Sequence, residues 1–219
     1  MKLEGRTLQI LKNYCTINPS LQFKQGNHLT TVSPTKTLMA KAEIKEDIPS
    51  TFAIYDLSRF LGVLSLFDSP SIVLDEKFLN IQDSNRSVQY TFADPKLIVT
   101  PGEKEISFPD PEIKFTLTSS VLQDVLKAMS IMSLPELAVS GRDGKMYVEA
   151  INTHNPTSDK FSVQVGETQD TFKMIFLAEN IKIIVEDYSV GISSRGIAHF
   201  KGSDIQYWIA TESSSTFNK

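Results

Sequence analysis

Three histidines, one cysteine and two short acidic runs are the residues of this chain that could make or break bonds. His28, His154 and His199 stand without a second ligand at metal-binding spacing, and Cys15 has no partner with which to share a zinc ion. Glu43, Glu46 and Asp47, like the pair Asp75 and Glu76, read as charge at strand ends rather than as paired catalytic carboxylates. Cys15 lies at helical spacing from Leu8 and Leu11, so it reads as a core thiol and not as a nucleophile. Gly141-Arg142-Asp143-Gly144-Lys145 has the letters of a phosphate loop without its spacing, and its Asp-Gly suits a tight hairpin turn. Neither a G-x-S-x-G elbow nor a G-x-G-x-x-G fingerprint occurs. The expectation is a chain that is no enzyme and needs no metal or other cofactor.

A different chemistry, attraction of phosphate groups, is suggested by where arginine and lysine fall. At about 100° per residue, four predicted helices separate into an apolar and a polar side. The first, over 7–17, gathers Leu8, Leu11 and Cys15 and leaves Arg6, Gln9 and Asn13 opposite. The second starts at an Asp56 cap and runs to about 66, gathering Leu57, Phe60, Leu61 and Leu64, with Arg59 outward. The third, over 119–132, gathers Leu122, Val125, Leu126 and Met129, with Gln123 and Lys127 outward. The fourth, over 177–184, turns Leu177, Ile181 and Ile184 inward and Lys182 outward. Four such helices on one side of a sheet would form a mildly basic surface that attracts phosphates without reading bases. Glu4, Asp124 and Glu179 lie on the same helices and dilute that surface. Any single cation among them is better explained as an ordinary solvated residue; it is the agreement of four helices in a duplicated frame that carries weight. The net charge of −4 means that positive charge, if it serves nucleic acid, must be confined to one face.

The elements that would hold these helices come twice. Val88-Gln89-Tyr90-Thr91-Phe92-Ala93 returns as Ile205-Gln206-Tyr207-Trp208-Ile209-Ala210, 117 positions later. Leu8-Gln9 and Leu11 match Leu122-Gln123 and Val125 at 114, and Leu57, Leu61, Val63 and Leu64 match Leu177, Ile181, Ile183 and Ile184 at 120. Runs of alternating residues predict strands at 21–24, 28–33, 37–44, 51–55, 72–74, 78–82 and 88–92 in the first half. In the second half they predict strands at 113–117, 138–140, 146–151, 161–165, 171–176, 190–193, 197–201 and 205–211. The stretch 94–111 holds Pro95, Pro101, Pro109, Pro111 and Gly102 and reads as a connector whose Leu97, Ile98, Val99 and Phe108 pack back onto the body. The tail 213–219 is expected to fray. The organisation is therefore α+β: a domain at 1–93, a connector at 94–111 and a similar domain at 112–219, each with two helices packed on antiparallel sheets.

A content of 41% hydrophobic residues supplies a core for two domains of about 110 residues. No apolar run approaches the roughly 20 residues of a membrane span, and the start lacks the apolar stretch of a signal peptide. One cysteine excludes an internal disulfide framework, so the chain reads as soluble and intracellular.

Several blocks resemble the sliding clamps of T-even-type bacteriophages, the processivity factors of phage DNA polymerases. They are Leu11-Lys12-Asn13 with Thr16-Ile17-Asn18, and Ala53-Ile54-Tyr55-Asp56-Leu57 followed by Phe60-Leu61-Gly62 and Leu64-Ser65-Leu66. Ala93-Asp94-Pro95, Phe108-Pro109, Leu122-Gln123 and Gly144-Lys145 add to them; the likeness covers nearly the whole chain and thins after Thr153. The resemblance implies the DNA-clamp fold and a head-to-tail homotrimeric ring around double-stranded DNA, with helices along the channel. Arg6, Lys12, Arg59, Lys127 and Lys182 would then line the hole. Val88, Tyr90 and Phe92 of one subunit would meet Phe161, Val163 and Val165 of the next, joining edge strands. A terminal peptide of the DNA polymerase or the clamp loader would dock against Leu97, Ile98, Val99 and Phe108. The resemblance further implies an ATP-driven clamp loader, late-transcription factors as partners, and residence in the cytoplasm of an infected bacterial host. Two other readings stay open: a monomeric module binding a ligand or peptide between sheet and helices, and a metal-dependent nuclease.

Overall fold

A computed structural model describes residues 1–102, 107–155 and 157–218. They fall into two compact units, Met1–Lys104 and Glu105–Lys219. The first contains α1 (Gly5–Ile17), β1 (Leu21–Phe23), β2 (Gly26–Val32), β3 (Leu38–Ile48), β4 (Phe52–Ile54), α2 (Leu57–Leu64), β5 (Ser71–Leu74), β6 (Phe78–Gln82) and β7 (Ser87–Thr91). The second contains β8 (Ile113–Leu117), α3 (Ser119–Ile131), β9 (Glu136–Arg142), β10 (Lys145–Ile151), β11 (Phe161–Glu167) and β12 (Thr171–Leu177). It ends with β13 (Tyr188–Ser193), β14 (Ile197–Lys201), β15 (Ile205–Ala210) and β16 (Thr216–Asn218).

In the first unit β1 pairs with β4, β2 with β3, and β5, β6 and β7 form a meander, all antiparallel. The alternation along β3 is nearly complete, with every second residue from Leu38 to Ile48 buried, as expected of a sheet with one face on a core. Helix α1 packs on α2 and on β2 and β3. Its buried stripe is Thr7, Ile10, Leu11, Tyr14 and Ile17, while Leu8 and Cys15 are only half-buried. The expected core position of Cys15 is thereby corrected. Ile10 and Tyr14 offer the larger apolar surface and turn the helix towards themselves, and the Tyr14 hydroxyl donates to the Leu29 carbonyl at 3.1 Å. Asn18 stops the helix: its side-chain amide donates to the carbonyls of Val32 (3.0 Å) and Val99 (3.2 Å), and its Oδ1 accepts from the Ser20 amide. Helix α2 starts where Asp56 accepts from the Arg59 amide at 2.8 Å, and it buries Leu57, Phe60 and Leu64.

In the second unit β11, β10, β9, β12 and β16 lie side by side in one five-stranded sheet. Strands β8, β13, β14 and β15 pair antiparallel in that order. The turn from β9 to β10 places Asp143 (φ 52°) and Gly144 (φ 76°) in the left-handed region, as a two-residue hairpin needs. Helix α3 packs on β9, β10 and β11 through Leu122, Val125, Ala128 and Met129. Both units thus run helix, four strands, short helical element, three-strand meander; their 13-residue helices, α1 and α3, begin 114 positions apart.

Two expectations need correction. The fourth helix is absent: Leu177 ends β12, Ala178–Asn180 forms one 3-10 turn, and residues 181–185 are irregular. No side chain caps that turn, and Ile181, Ile183, Ile184 and Val185 are β-branched, which disfavours helix. The Tyr188 hydroxyl donates to the Ile184 carbonyl at 2.6 Å and the Ile184 amide donates to the Tyr207 hydroxyl at 3.2 Å, so the backbone finds partners without a helix. The tail is also more ordered than expected. Thr216–Asn218 pairs with β12, and Phe217 stacks on Phe172 with ring centroids 6.0 Å apart. Among the described residues no helix is long and apolar enough to cross a membrane.

Candidate functional site

The cations singled out from the sequence separate once the helices are in place. On α1 the outward side carries Gln9, Lys12 and Thr16, and Lys12 is exposed. Arg6 is half-buried and donates to Gln9 Oε1 at 2.9 Å. On α2 Arg59 is exposed. Because α1 packs against α2, the first unit brings two outward-facing cationic helices together. Cys15 lies beside this helix pair: burial first, then the Asp56 carboxylate, pushes its thiol above its ordinary pKa, which keeps it protonated. In the second unit α3 presents exposed Gln123, Asp124 and Lys127. Lys182 lies beyond the 3-10 turn, half-buried, so the expected fourth cationic helix is not formed.

The residues expected at a subunit interface sit on two sheet edges. Strand β7 pairs with β6 and is the last strand of its sheet; β11 pairs with β10 and is the last of its own. Along both edges half-buried and exposed residues alternate: Val88 and Tyr90 against Ser87, Gln89 and Thr91, then Phe161, Val163 and Val165 against Ser162 and Gln164. Tyr90 packs edge-on against Phe60 of α2 at 5.4 Å, and its hydroxyl donates to the Asp56 carbonyl at 3.2 Å. Phe92 falls just past β7 and stacks on Phe52 at 5.1 Å, so it serves the core of its own unit. Each edge therefore pairs an apolar, partly exposed row with backbone groups on its outer side that no strand among the described residues takes up.

The four residues expected to form a peptide pocket divide between the units. Asp94 caps a 3-10 turn at Pro95–Leu97, after which Ile98 is buried while Leu97 (66% exposed) and Val99 (45%) face solvent. Phe108 belongs to the second unit, with its ring 5.3 Å from that of His199. His199 in turn stacks on Trp208 at 4.8 Å, and burial lowers its pKa. Residues 103–106 of the expected connector lie outside the described residues.

One cluster was not anticipated. Glu149 on β10 is almost fully buried and receives both guanidinium nitrogens of Arg142 at 3.0 Å, the Lys160 ammonium at 2.9 Å, and the Ser140 and Ser162 hydroxyls. Burial alone would raise its pKa, but these donors outweigh burial and hold the carboxyl at about 2. The sequence signal was the alternation of Ser140 with Arg142 and of Tyr147 with Glu149, which puts them on one face; the register that adds Ser162 crosses a long loop. Among the described residues no group of three or more His, Cys, Asp or Glu is placed to hold a metal ion.

Comparison with known proteins gives a consistent result. Residues 3–100 match the family described as DNA polymerase processivity factor, and residues 114–213 match gp45 sliding clamp, C terminal. The sliding clamp of Vibrio phage KVP40 is 33% identical over 220 residues, covering 97% of this chain and 99% of the relative. That of Enterobacteria phage T4 is 30% identical over 226 residues, covering 99% of both chains. In fold, the PCNA of Thermococcus kodakaraensis superposes with a TM-score of 0.71 at 15% identity, over 97% of this chain and 99% of that one. The DNA polymerase III subunit beta of Pseudomonas aeruginosa reaches 0.69 at 9% identity, over 100% of this chain and 65% of the other.

Proposed function

The chain belongs to the phage sliding-clamp family of DNA polymerase processivity factors, and we propose that three copies close head to tail around duplex DNA. It is a tether and not an enzyme. The observation that carries the ring is the pair of open edges: β7 in one unit and β11 in the other, each with a matching alternation of apolar and polar residues. Joining β7 of one copy to β11 of the next would satisfy the outer backbone groups of both. It would bury Val88 and Tyr90 together with Phe161, Val163 and Val165. Head-to-tail contacts of this kind form a ring when the rotation closes.

Inside such a ring the helices would face DNA. Lys12, Arg59 and Lys127, repeated in each copy, would meet phosphates weakly and without regard to sequence. Arg6 and Lys182 would reinforce them, and the net charge of −4 would disfavour nucleic acid elsewhere on the surface. A ring needs no tight grip, because topology prevents dissociation while weak contacts permit sliding. In the first unit the exposed Leu97 and Val99 would offer a docking place to a terminal peptide of the DNA polymerase. An ATP-driven clamp loader that opens the ring, late-transcription factors as further partners, and the cytoplasm of the infected host complete the proposal.

Light scattering over a wide concentration range tests the ring. A mass near three chains that falls to one on dilution is the expected result. A monomer persisting at high concentration overturns the ring and leaves the monomeric peptide-binding module. A proline at Val163, which would block strand pairing at the β11 edge, should give that monomer without unfolding the second unit.

A further inference from the structure

The cluster around Glu149 opens to solvent through a cavity of about 300 Å³, lined by Ser140, Arg142, Lys160, Thr171, Lys173 and Thr216 with Glu149 at its floor. Three cations meet one carboxylate there, which leaves two positive charges in excess. Arg142 is held on one side by Glu149 and on the other by the Tyr147 ring, whose centroid is 4.1 Å from its guanidinium carbon. Lys160 is likewise fixed by Glu149. The Lys173 ammonium makes no hydrogen bond or ion pair among the described residues. Its neighbours across the sheet are Ser140 on β9 and Thr216 on β16, so hydroxyls flank it on both sides. The acids adjacent in sequence, Asp159 and Asp170, do not line the cavity. Val139, Val148 and Met174 are buried and alternate with these residues, so they belong to the opposite face of the sheet.

We propose that this cavity is an anion site that takes a phosphate dianion. Its two excess charges match a dianion in number. The planar fork of Arg142 is already taken by Glu149, so a second flat carboxylate has no bidentate partner. The remaining donors are two rotatable ammonium groups and two threonine hydroxyls, and these can converge on the apices of a tetrahedron. Glu149 keeps Arg142 and Lys160 in place before any ligand arrives, which removes part of the ordering cost of binding. The site uses none of the cations on α1, α2 and α3.

Amide chemical shifts of the intact protein during titration with inorganic phosphate, at ionic strength held constant with chloride, test the proposal. A saturable shift at Thr171–Lys173 and Thr216 is expected, weakened by about tenfold in Lys173→Ala and in Lys173→Met, and unchanged in Lys127→Ala. Repeating the titration with a deoxynucleoside 5′-monophosphate identifies the source. Tighter binding than inorganic phosphate assigns the site to nucleotide phosphates, and equal binding assigns it to the free ion. A response that does not saturate, that chloride reproduces, or that survives in both folded Lys173 variants overturns the site.

Discussion

Residues 57–64 and 177–184 occupy the same place in the two units, after the fourth strand and before a three-strand meander, yet the first is a helix and the second a single 3-10 turn. At the repeat spacing of 120, Phe60 corresponds to Asn180, Arg59 to Glu179 and the capping Asp56 to Phe176. The first unit satisfies its backbone there through helical bonds started by Asp56. The second uses two tyrosine hydroxyls that reach into the chain at Ile184. It adds a polar pin, Glu149, across three strands of its larger sheet. One topology therefore tolerates two means of closing its core, provided every buried N–H and C=O finds a partner.

Removing the pin should have the largest effect. Glu149→Ala removes the acceptor shared by Arg142, Lys160, Ser140 and Ser162; both cations are exposed enough to be solvated instead, so the loss should be about 1.5–3 kcal/mol. Urea unfolding at neutral pH should register that loss. A loss no larger than that of a surface substitution would mean that the second unit does not depend on the pin. The same carboxyl predicts an acid limb. Its folded pKa, about 2, lies below the ordinary 4.5, so its contribution is complete above 4.5 and disappears as pH falls through that interval towards 2. Two and a half pKa units correspond to about 3 kcal/mol. Glu149→Gln should flatten the stability–pH curve across that window. Glu112 is also held at about 2, by Ser194, but is exposed, and solvent screening leaves it a smaller share of the limb.

A matched pair of substitutions probes the two backbone solutions directly. Tyr188→Phe leaves the buried Ile184 carbonyl without its donor and should cost about 1–3 kcal/mol. Asp56→Ala removes a cap at an exposed helix start and should cost about 1 kcal/mol. Thermal unfolding of both variants gives the order. If Asp56→Ala were the more damaging, the helix would be the tighter constraint and the tyrosines incidental.

Much of this fold is legible from residue order. The helices α1 and α3 follow from apolar period and from the 114-residue repeat, and the Asp143-Gly144 turn from its composition. The fourth helix misleads because Leu177, Ile181 and Ile184 do fit a helical stripe. The pattern says nothing about the missing cap or about tyrosines 188 and 207, which lie beyond the window. The stripe of α1 is misphased for a related reason: Leu8 and Cys15 fit the period as well as Ile10 and Tyr14 do, and only packing against β2 and β3 decides between them. Of the site residues, exposed cations and edge strands can be read from alternation. The Glu149 cluster cannot, because it requires the register of three strands at once.

The smallest effects on stability test the largest difference in charge between the units. Arg59 is exposed on α2, and its counterpart Glu179 is exposed on the turn. Replacing either should change folding free energy by less than about 0.5 kcal/mol. Their effect on DNA should not be small. If both units face the phosphates, Arg59→Ala should lower the slope of log affinity against log salt by about 0.9 for each phosphate it ceases to neutralise. Glu179→Arg should raise it by a similar amount, since it restores in the second unit the cation that the first already has. Both slopes come from binding measured on short linear duplex over a range of chloride. If Arg59→Ala lowers the slope while Glu179→Arg leaves it unchanged, only the helix pair of the first unit meets DNA, and the duplicated frame is electrostatically one-sided. If neither moves it, the channel assignment of Arg59 fails.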